Sequence, residues 1–143
     1  MSKKPSFNGR RKARRYALQA LYSWMLSDNA LSDIETHFLV THAAEEFDRD
    51  YFQLLLHEVP KQVEMLETTM TPYLSRPFAD LDPIELTILR LSIYELKERL
   101  DIPYRVVINE GLELAKTFGS ADSYKFINGV LDKVAREIRK TEI

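Results

Sequence analysis

The chain has 143 residues, 45% of them apolar and 29% charged, with four glycines, six prolines and no cysteine. That length suits one domain that buries roughly two thirds of the surface of its unfolded chain, and the composition excludes collagen-like and low-complexity proteins, disulfide scaffolds, thiolate zinc sites and cysteine nucleophiles. The net charge of −2 conceals a split: the first 15 residues hold seven bases (Lys3, Lys4, Arg10, Arg11, Lys12, Arg14, Arg15) and no acid, while the other 128 carry 13 bases against 22 acids. A basic end of this kind most often meets a polyanion, usually nucleic acid. Gln19 and Ser23 interrupt the apolar run from Tyr16 to Leu26, so no secretory signal is expected. No window approaches the roughly 18 apolar residues of a membrane span, and the expectation is a soluble, cytoplasmic protein.

Residues 1–8 read as a flexible basic lead-in, and Asn8 as the cap of a first helix. At 100° per residue Ala13, Ala17, Ala20, Leu21 and Trp24 share its packed face. Arg11, Arg15 and Tyr22 fall on a solvent stripe, with Arg10 and Arg14 one turn apart near the edge. A shorter helix follows Ser32 or Asp33, with Ile34, His37, Phe38 and Val40 as its apolar positions. Asp48 caps a third, whose Tyr51, Phe52, Leu55, Leu56 and Val59 recur at spacings of three and four, and Pro60 kinks or ends it. Val63, Leu66 and Met70 continue the period to Pro72. The stretch from Ser75 to Leu81 has no period and is the best internal boundary, dividing an N-terminal bundle of about residues 9–74 from a C-terminal one of about 82–140.

Asp82-Pro83-Ile84-Glu85 then gives an N-cap, a proline in the first turn and a glutamate at the third position. Leu86, Leu89, Ile93, Leu96 and Leu100 follow on one face, widened by Ile88 and Leu91. Asp101-Ile102-Pro103 opens another helix through Val107, Gly111, Leu114 and Phe118, which Gly119 closes. A last one begins near Asp122 or Ser123 and buries Phe126 or Ile127, then Val130, Val134 and Ile138. Gly111 and Gly129, both inside helices, predict close helix–helix approach. The reading is an all-α domain of six or seven helices in two small packed bundles, with no strand and a basic N-terminal arm.

Enzyme signatures are scarce. His37 and His42 lie about 140° apart on a helix, and His57 and Glu58 point in different directions. No phosphate loop, metalloprotease or nucleophile-elbow motif occurs. No catalytic residue, metal or cofactor is therefore expected. The arm leads into an amphipathic helix bearing Tyr22, and arginine both neutralises phosphates and stacks on bases. A second candidate region, Phe118 to Lys133, sets Ser120, Asp122, Ser123 and Lys125 beside Phe118, Tyr124 and Phe126, a mixture that suits unstacked bases of single-stranded RNA. The same turn also reads as an ordinary helix–helix connection. A helix-turn-helix DNA reader is thin, because Lys125 is the only base in the first two turns of its recognition helix.

At these residues the sequence resembles the NusB family of bacterial transcription antitermination factors. The arginine run into ALQALYSW (Ala17 to Trp24), PYLSRPFADLDPIELTILRLSIYEL (Pro72 to Leu96), IPYRVVINEGLELAKTFG (Ile102 to Gly119) and FINGVLDKVA (Phe126 to Ala135) carry the resemblance, in the family's order and over nearly the whole chain. It implies two helical bundles, no catalysis, and a partner in a small-subunit ribosomal protein, NusE. The pair would bind the boxA element of nascent RNA and, with other Nus factors, modify RNA polymerase so that ribosomal-RNA operons are read past terminators. Matched by position, the RNA surface would comprise Arg10, Arg11, Arg14, Tyr22, Phe118, Asp122, Lys125 and Phe126. The partner surface would comprise Tyr22 and the segment holding Arg76, Asp80 and Glu85, although Glu85 also explains itself as a capping residue. Lys3 and Lys4 have no secure family counterpart, Lys12 stands where arginine is common, and the role of Tyr124 stays open.

A related domain fronts ribosomal-RNA methyltransferases, and a chain ending at Ile143 leaves no room for their catalytic part. The rivals are a small helical enzyme with an arginine-lined anion pocket, which needs bases converging from several helices, and a protein-only scaffold. A homodimer that buries the RNA surface, an autoinhibited form, is compatible with the sequence and not demanded by it.

Overall fold

The computed structural model describes residues 7–143, so the roles of Lys3 and Lys4 and most of the expected lead-in lie outside the described residues. Helix α1 spans Phe7–Leu26, and Asn8, expected as its cap, lies inside it. Its face of Ala13, Ala17, Leu18, Ala20 and Leu21 is buried. Small alanines let α1 pack closely on α3 (Arg49–Lys61) and on α2 (Leu31–Thr41). Asp48 starts α3 as expected, its carboxylate accepting from the Tyr51 N–H at 3.0 Å. Pro60 sits in the last turn of α3, which ends one residue later.

Helix α2 departs from expectation. Only Ile34 is buried; His37 is exposed and Val40 is 70% exposed. Periodicity marks an apolar stripe, but α2 has its main packing against α1 alone and needs only a narrow contact. Phe38 instead joins an aromatic cluster with Tyr16, His42, Phe47 and Phe52. The Arg49 guanidinium ties the following loop together, donating to the carbonyls of His42, Ala43 and Glu45 at 3.1, 3.0 and 3.2 Å.

In that cluster the Tyr16 hydroxyl donates to Glu45 at 2.7 Å and its ring stacks on His42 at 4.0 Å between centroids. Burial and the Glu45 carboxylate push the Tyr16 phenol up to about 12, while the same hydrogen bond, with His42, holds Glu45 below the usual carboxylate range. A raised phenol binds its proton more tightly folded than unfolded, so its contribution to stability is complete below pH about 10 and is lost as pH rises towards 12. We expect ultraviolet titration of the tyrosines to show a late phenolate step that Tyr16→Phe abolishes. A late step surviving in that variant would contradict the assignment.

The described chain divides into two compact units at Lys61–Gln62, upstream of the expected boundary at 75–81. The prolines there break the helical period, not the packing: α4 (Val63–Met70) buries Leu66 and Met70 and packs on α5 (Pro83–Glu98) and α7 (Ser123–Ile138). Two 3₁₀ turns, Thr71–Tyr73 and Phe78–Asp80, make the connection. Helix α5 opens with the expected capping box: Asp82 accepts from the Ile84 N–H at 2.7 Å, and Glu85 reaches back to the Asp82 N–H. It is buried nearly all round from Thr87 to Leu96, as befits the central helix of the unit, with α4, α6 (Tyr104–Phe118) and α7 around it. Leu100, expected on its face, lies beyond its end and is 67% exposed.

The glycines divide by cause. A Cβ on Gly111 would lie 2.8 Å from Ser92 Oγ and 3.0 Å from Leu131 Cδ1, the expected close approach of α6 to α5 and α7. A Cβ on Gly119 would lie 2.8 Å from both the Ala115 carbonyl and Ser123 Cβ. Its φ is an ordinary −92°, so space rather than a left-handed turn asks for glycine there. For Gly129 the expectation fails: the residue is exposed and a Cβ would meet nothing within 4 Å. Glycine in mid-helix costs about 1 kcal/mol relative to alanine, and no contact within the described chain offsets it. Among the described residues there are seven α-helices and no strand.

Candidate nucleic-acid interface

In the first unit, α1 presents the bases of the arm. Arg10 lies 3.7 Å from Asp48, and its guanidinium sits over the Tyr51 ring, 4.3 Å from the centroid. Arg14, one turn on, faces the same ring at 5.5 Å and is only 2% exposed. Of the four RNA candidates on α1 it is the one whose charge does not face solvent in this conformation. Its i,i+4 relation to Arg10 directs both toward α3, further inside than the edge position expected. Arg11 covers Phe7 at 4.8 Å, and Tyr22 is half-buried. Arg15, on the solvent stripe but not among the RNA candidates, is exposed.

In the second unit, six candidates that the sequence takes from two separate segments meet. Arg76, Asp80, Glu85, Asp122, Lys125 and Phe126 line one open groove of about 800 Å³. The capping box of α5 builds one wall, and the first turn of α7 the other. Glu85, 3% exposed, holds the Arg76 guanidinium at 3.1 Å, and that guanidinium lies over Phe126, 4.0 Å from the ring centroid. One buried carboxylate therefore sets a cation, and the cation covers one face of an aromatic ring. Phe126 is half-buried while Ile127 takes the core position, which resolves the alternative the periodicity left open.

Asp122 precedes α7 but makes no side-chain cap bond. Ser123 turns inward instead, its Oγ accepting from the Ser120 N–H at 3.2 Å and lying 3.1 Å from Ser120 Oγ. Among the described residues the side chains of Asp80, Asp122 and Lys125 have no hydrogen bond or ion pair. The groove thus offers one uncommitted ammonium for a phosphate, two carboxylates that accept from base amines or a partner's cations, and a guanidinium–aromatic stack. Phe118 lies outside it, half-buried at the end of α6. Ser75, Asp82 and Ser120 also line the groove and are absent from the candidate sites. The sequence names Asp82 as the cap of α5 and Ser120 within the second candidate region, and no motif marks Ser75.

The histidines make local partners: His42 bonds Glu45, and His57 lies 2.6 Å from Glu35. Among the described residues no group of three or more His, Asp or Glu can hold a metal ion, and no helix is long and apolar enough to cross a membrane.

The comparisons with known proteins agree over nearly the whole chain. The NusB family model matches residues 11–136. A transcription antitermination protein NusB of Alcanivorax borkumensis is 56% identical over 135 residues, covering 94% of this chain and 90% of that protein. The structure of NusB from T. maritima superposes with a TM-score of 0.78 at 29% identity, covering 99% of this chain and 100% of that one. A solved complex of the antitermination factors NusB and NusE with dsRNA contains a chain of the same fold, with TM-score 0.80, 23% identity, and coverage of 92% of this chain and 99% of that chain. The chain belongs to the NusB family of transcription antitermination proteins.

Proposed function

We propose that the protein binds single-stranded boxA RNA together with NusE, and that this complex, joined by other Nus factors, lets RNA polymerase transcribe ribosomal-RNA operons past terminators. It acts in the cytoplasm by binding alone, without a catalytic step. The observation that carries the reading is the groove in which Phe126, stacked under Arg76, stands beside the uncommitted Lys125 and Asp122. Stacking surfaces with a phosphate-binding cation fit unstacked bases better than a closed duplex. The bases of α1 add affinity that is independent of sequence. The structural neighbour in complex with NusE and dsRNA supports the choice of partners, and its duplex supplies the alternative to test.

The test is fluorescence anisotropy with boxA RNA, a scrambled strand of equal composition, and the boxA duplex, each with and without NusE. The single boxA strand should bind best, and NusE should tighten it. Three to five phosphate contacts give a slope of log K against log salt of roughly −2 to −3.5. Equal binding of both single strands, or preference for the duplex, would overturn the reading. A homodimer that covers the groove would show as RNA affinity falling with protein concentration.

Asp122→Asn separates function from fold. Its carboxylate holds no helix cap, so the substitution should leave stability within about 0.5 kcal/mol. It removes a charge from the groove and changes what the side chain accepts, so affinity for RNA or NusE should shift by about fivefold or more, with circular dichroism unaltered. Unchanged binding of both would remove Asp122 from the site.

A further inference from the structure

We propose that the RNA continues out of the groove along the outer face of α7, its backbone crossing the helix at Gly129 between Lys125 and Lys133. This extends the RNA reading above and rests on it. Lys125, Gly129 and Lys133 follow one another at intervals of four, so they form one stripe along the helix. The two lysines stand two turns, about 12 Å, apart along the axis. All three residues are exposed.

The stripe has two properties that the rest of α7 lacks. The first is the gap: a Cβ at Gly129 would have open space around it, so nothing in the described fold needs glycine there. An incoming backbone does need it, because the absent side chain lowers the ridge between the lysines and lets phosphates come close to the helix. The second is uncommitted charge. Arg136 is paired with Asp132 at 3.1 Å, and just past the helix end Lys140 is paired with Glu137 at 3.0 Å and Arg139 is buried. Lys125 and Lys133 alone among the bases of α7 have no hydrogen-bond or ion-pair partner among the described residues. Lys125 also lines the groove, so the stripe begins where the groove ends. Two free ammoniums flanking a bare patch of helix complement a phosphodiester chain better than a folded protein surface, which would bring side chains to fill the gap.

The experiment measures binding of boxA RNA to the full chain by anisotropy across a salt series. Lys133→Gln should weaken binding about fivefold and flatten the log–log salt slope by about 0.7, one phosphate contact on a single strand. Gly129→Gln, which fills the gap without charge, should weaken binding about tenfold while raising the Tm. Lys140→Gln, an exposed and paired base just beyond the end of α7, should bind like the parent. If Gly129→Gln does not fold, Lys133→Gln and its salt slope decide. Parental RNA binding by Gly129→Gln and Lys133→Gln, alongside weakened Lys125→Gln and Phe126→Ala, would overturn the path over α7 and leave the groove reading intact. Parental binding by all four would overturn the groove reading itself. Loss of NusE binding with RNA binding intact in Gly129→Gln would give this face to the protein partner and end the proposal.

Discussion

Replacing Arg139 with methionine should lower the unfolding free energy by about 3–5 kcal/mol. Arg139 follows the last turn of α7, is 4% exposed, and carries no ligand. Its guanidinium donates from Nε to the Leu96 carbonyl at 2.7 Å, from Nη1 to Ile102 at 2.9 Å, and from Nη2 to Arg99 at 3.1 Å and Glu95 at 3.4 Å. Three of these are carbonyls at the C-terminal end of α5; those of Glu95 and Arg99 also accept from the Arg99 and Ile102 N–H groups, while that of Leu96 takes its bond from Arg139. Glu142 balances the charge and also accepts from the Tyr104 N–H at 2.8 Å, capping α6. Methionine fills much of the volume but leaves the Leu96 and Ile102 carbonyls without the guanidinium donor, each costing about 1–3 kcal/mol before relaxation. Arg139→Lys should recover only part of the loss, because one ammonium cannot span a planar fork of donors. Urea unfolding checks this against Lys140→Gln, an exposed neighbour expected to stay within about 0.5 kcal/mol. A loss under about 1 kcal/mol for Arg139→Met would show that the network is replaceable by water.

Arg139 also marks where sequence reading stops. The start of α5 was legible because every part of its signal is local: Asp82, Pro83 and Glu85 lie within four residues, the two carboxylates accept from backbone N–H groups of that same turn, and the proline has no N–H to satisfy. The number and order of helices follow from periods of the same short range. What covers an apolar face does not. Val40 and Leu100 continue apolar patterns and yet stand in solvent, since α2 meets little beyond α1, and α5 ends before Leu100. The division between the units went to Lys61–Gln62, because Leu66 and Met70 pack on the far side of an apparent break. Arg139 bonds groups about 40 residues away and has no periodic or motif signature at all. The lining of the candidate groove was legible as residues but not as a group. Asp122, Lys125 and Phe126 were read from one segment, Arg76, Asp80 and Glu85 from another, and only the packing of α5 against α7 makes them one groove.

That grouping leads to the second large effect. Phe126→Ala should weaken RNA binding by about 10- to 100-fold, the range of one base-stacking platform. Arg76 covers one face of the ring, so a base can stack on the ring's other face or on the outer plane of the guanidinium. The two side chains then act as one platform, with Glu85 as its anchor. Arg76→Gln should weaken binding as well, and the Phe126→Ala/Arg76→Gln pair should cost clearly less than the two single effects added together. Glu85→Gln tests the anchor. It keeps a side-chain carbonyl that can accept from the Asp82 N–H and removes the charge that holds Arg76, so it should reduce RNA affinity more than it reduces stability. RNA and NusE titrations of the same variants distinguish a platform for bases from a surface for protein. Additive effects of Phe126 and Arg76 on RNA affinity would mean that they touch different parts of the ligand, and the stack would then be a packing contact rather than the reader of a base.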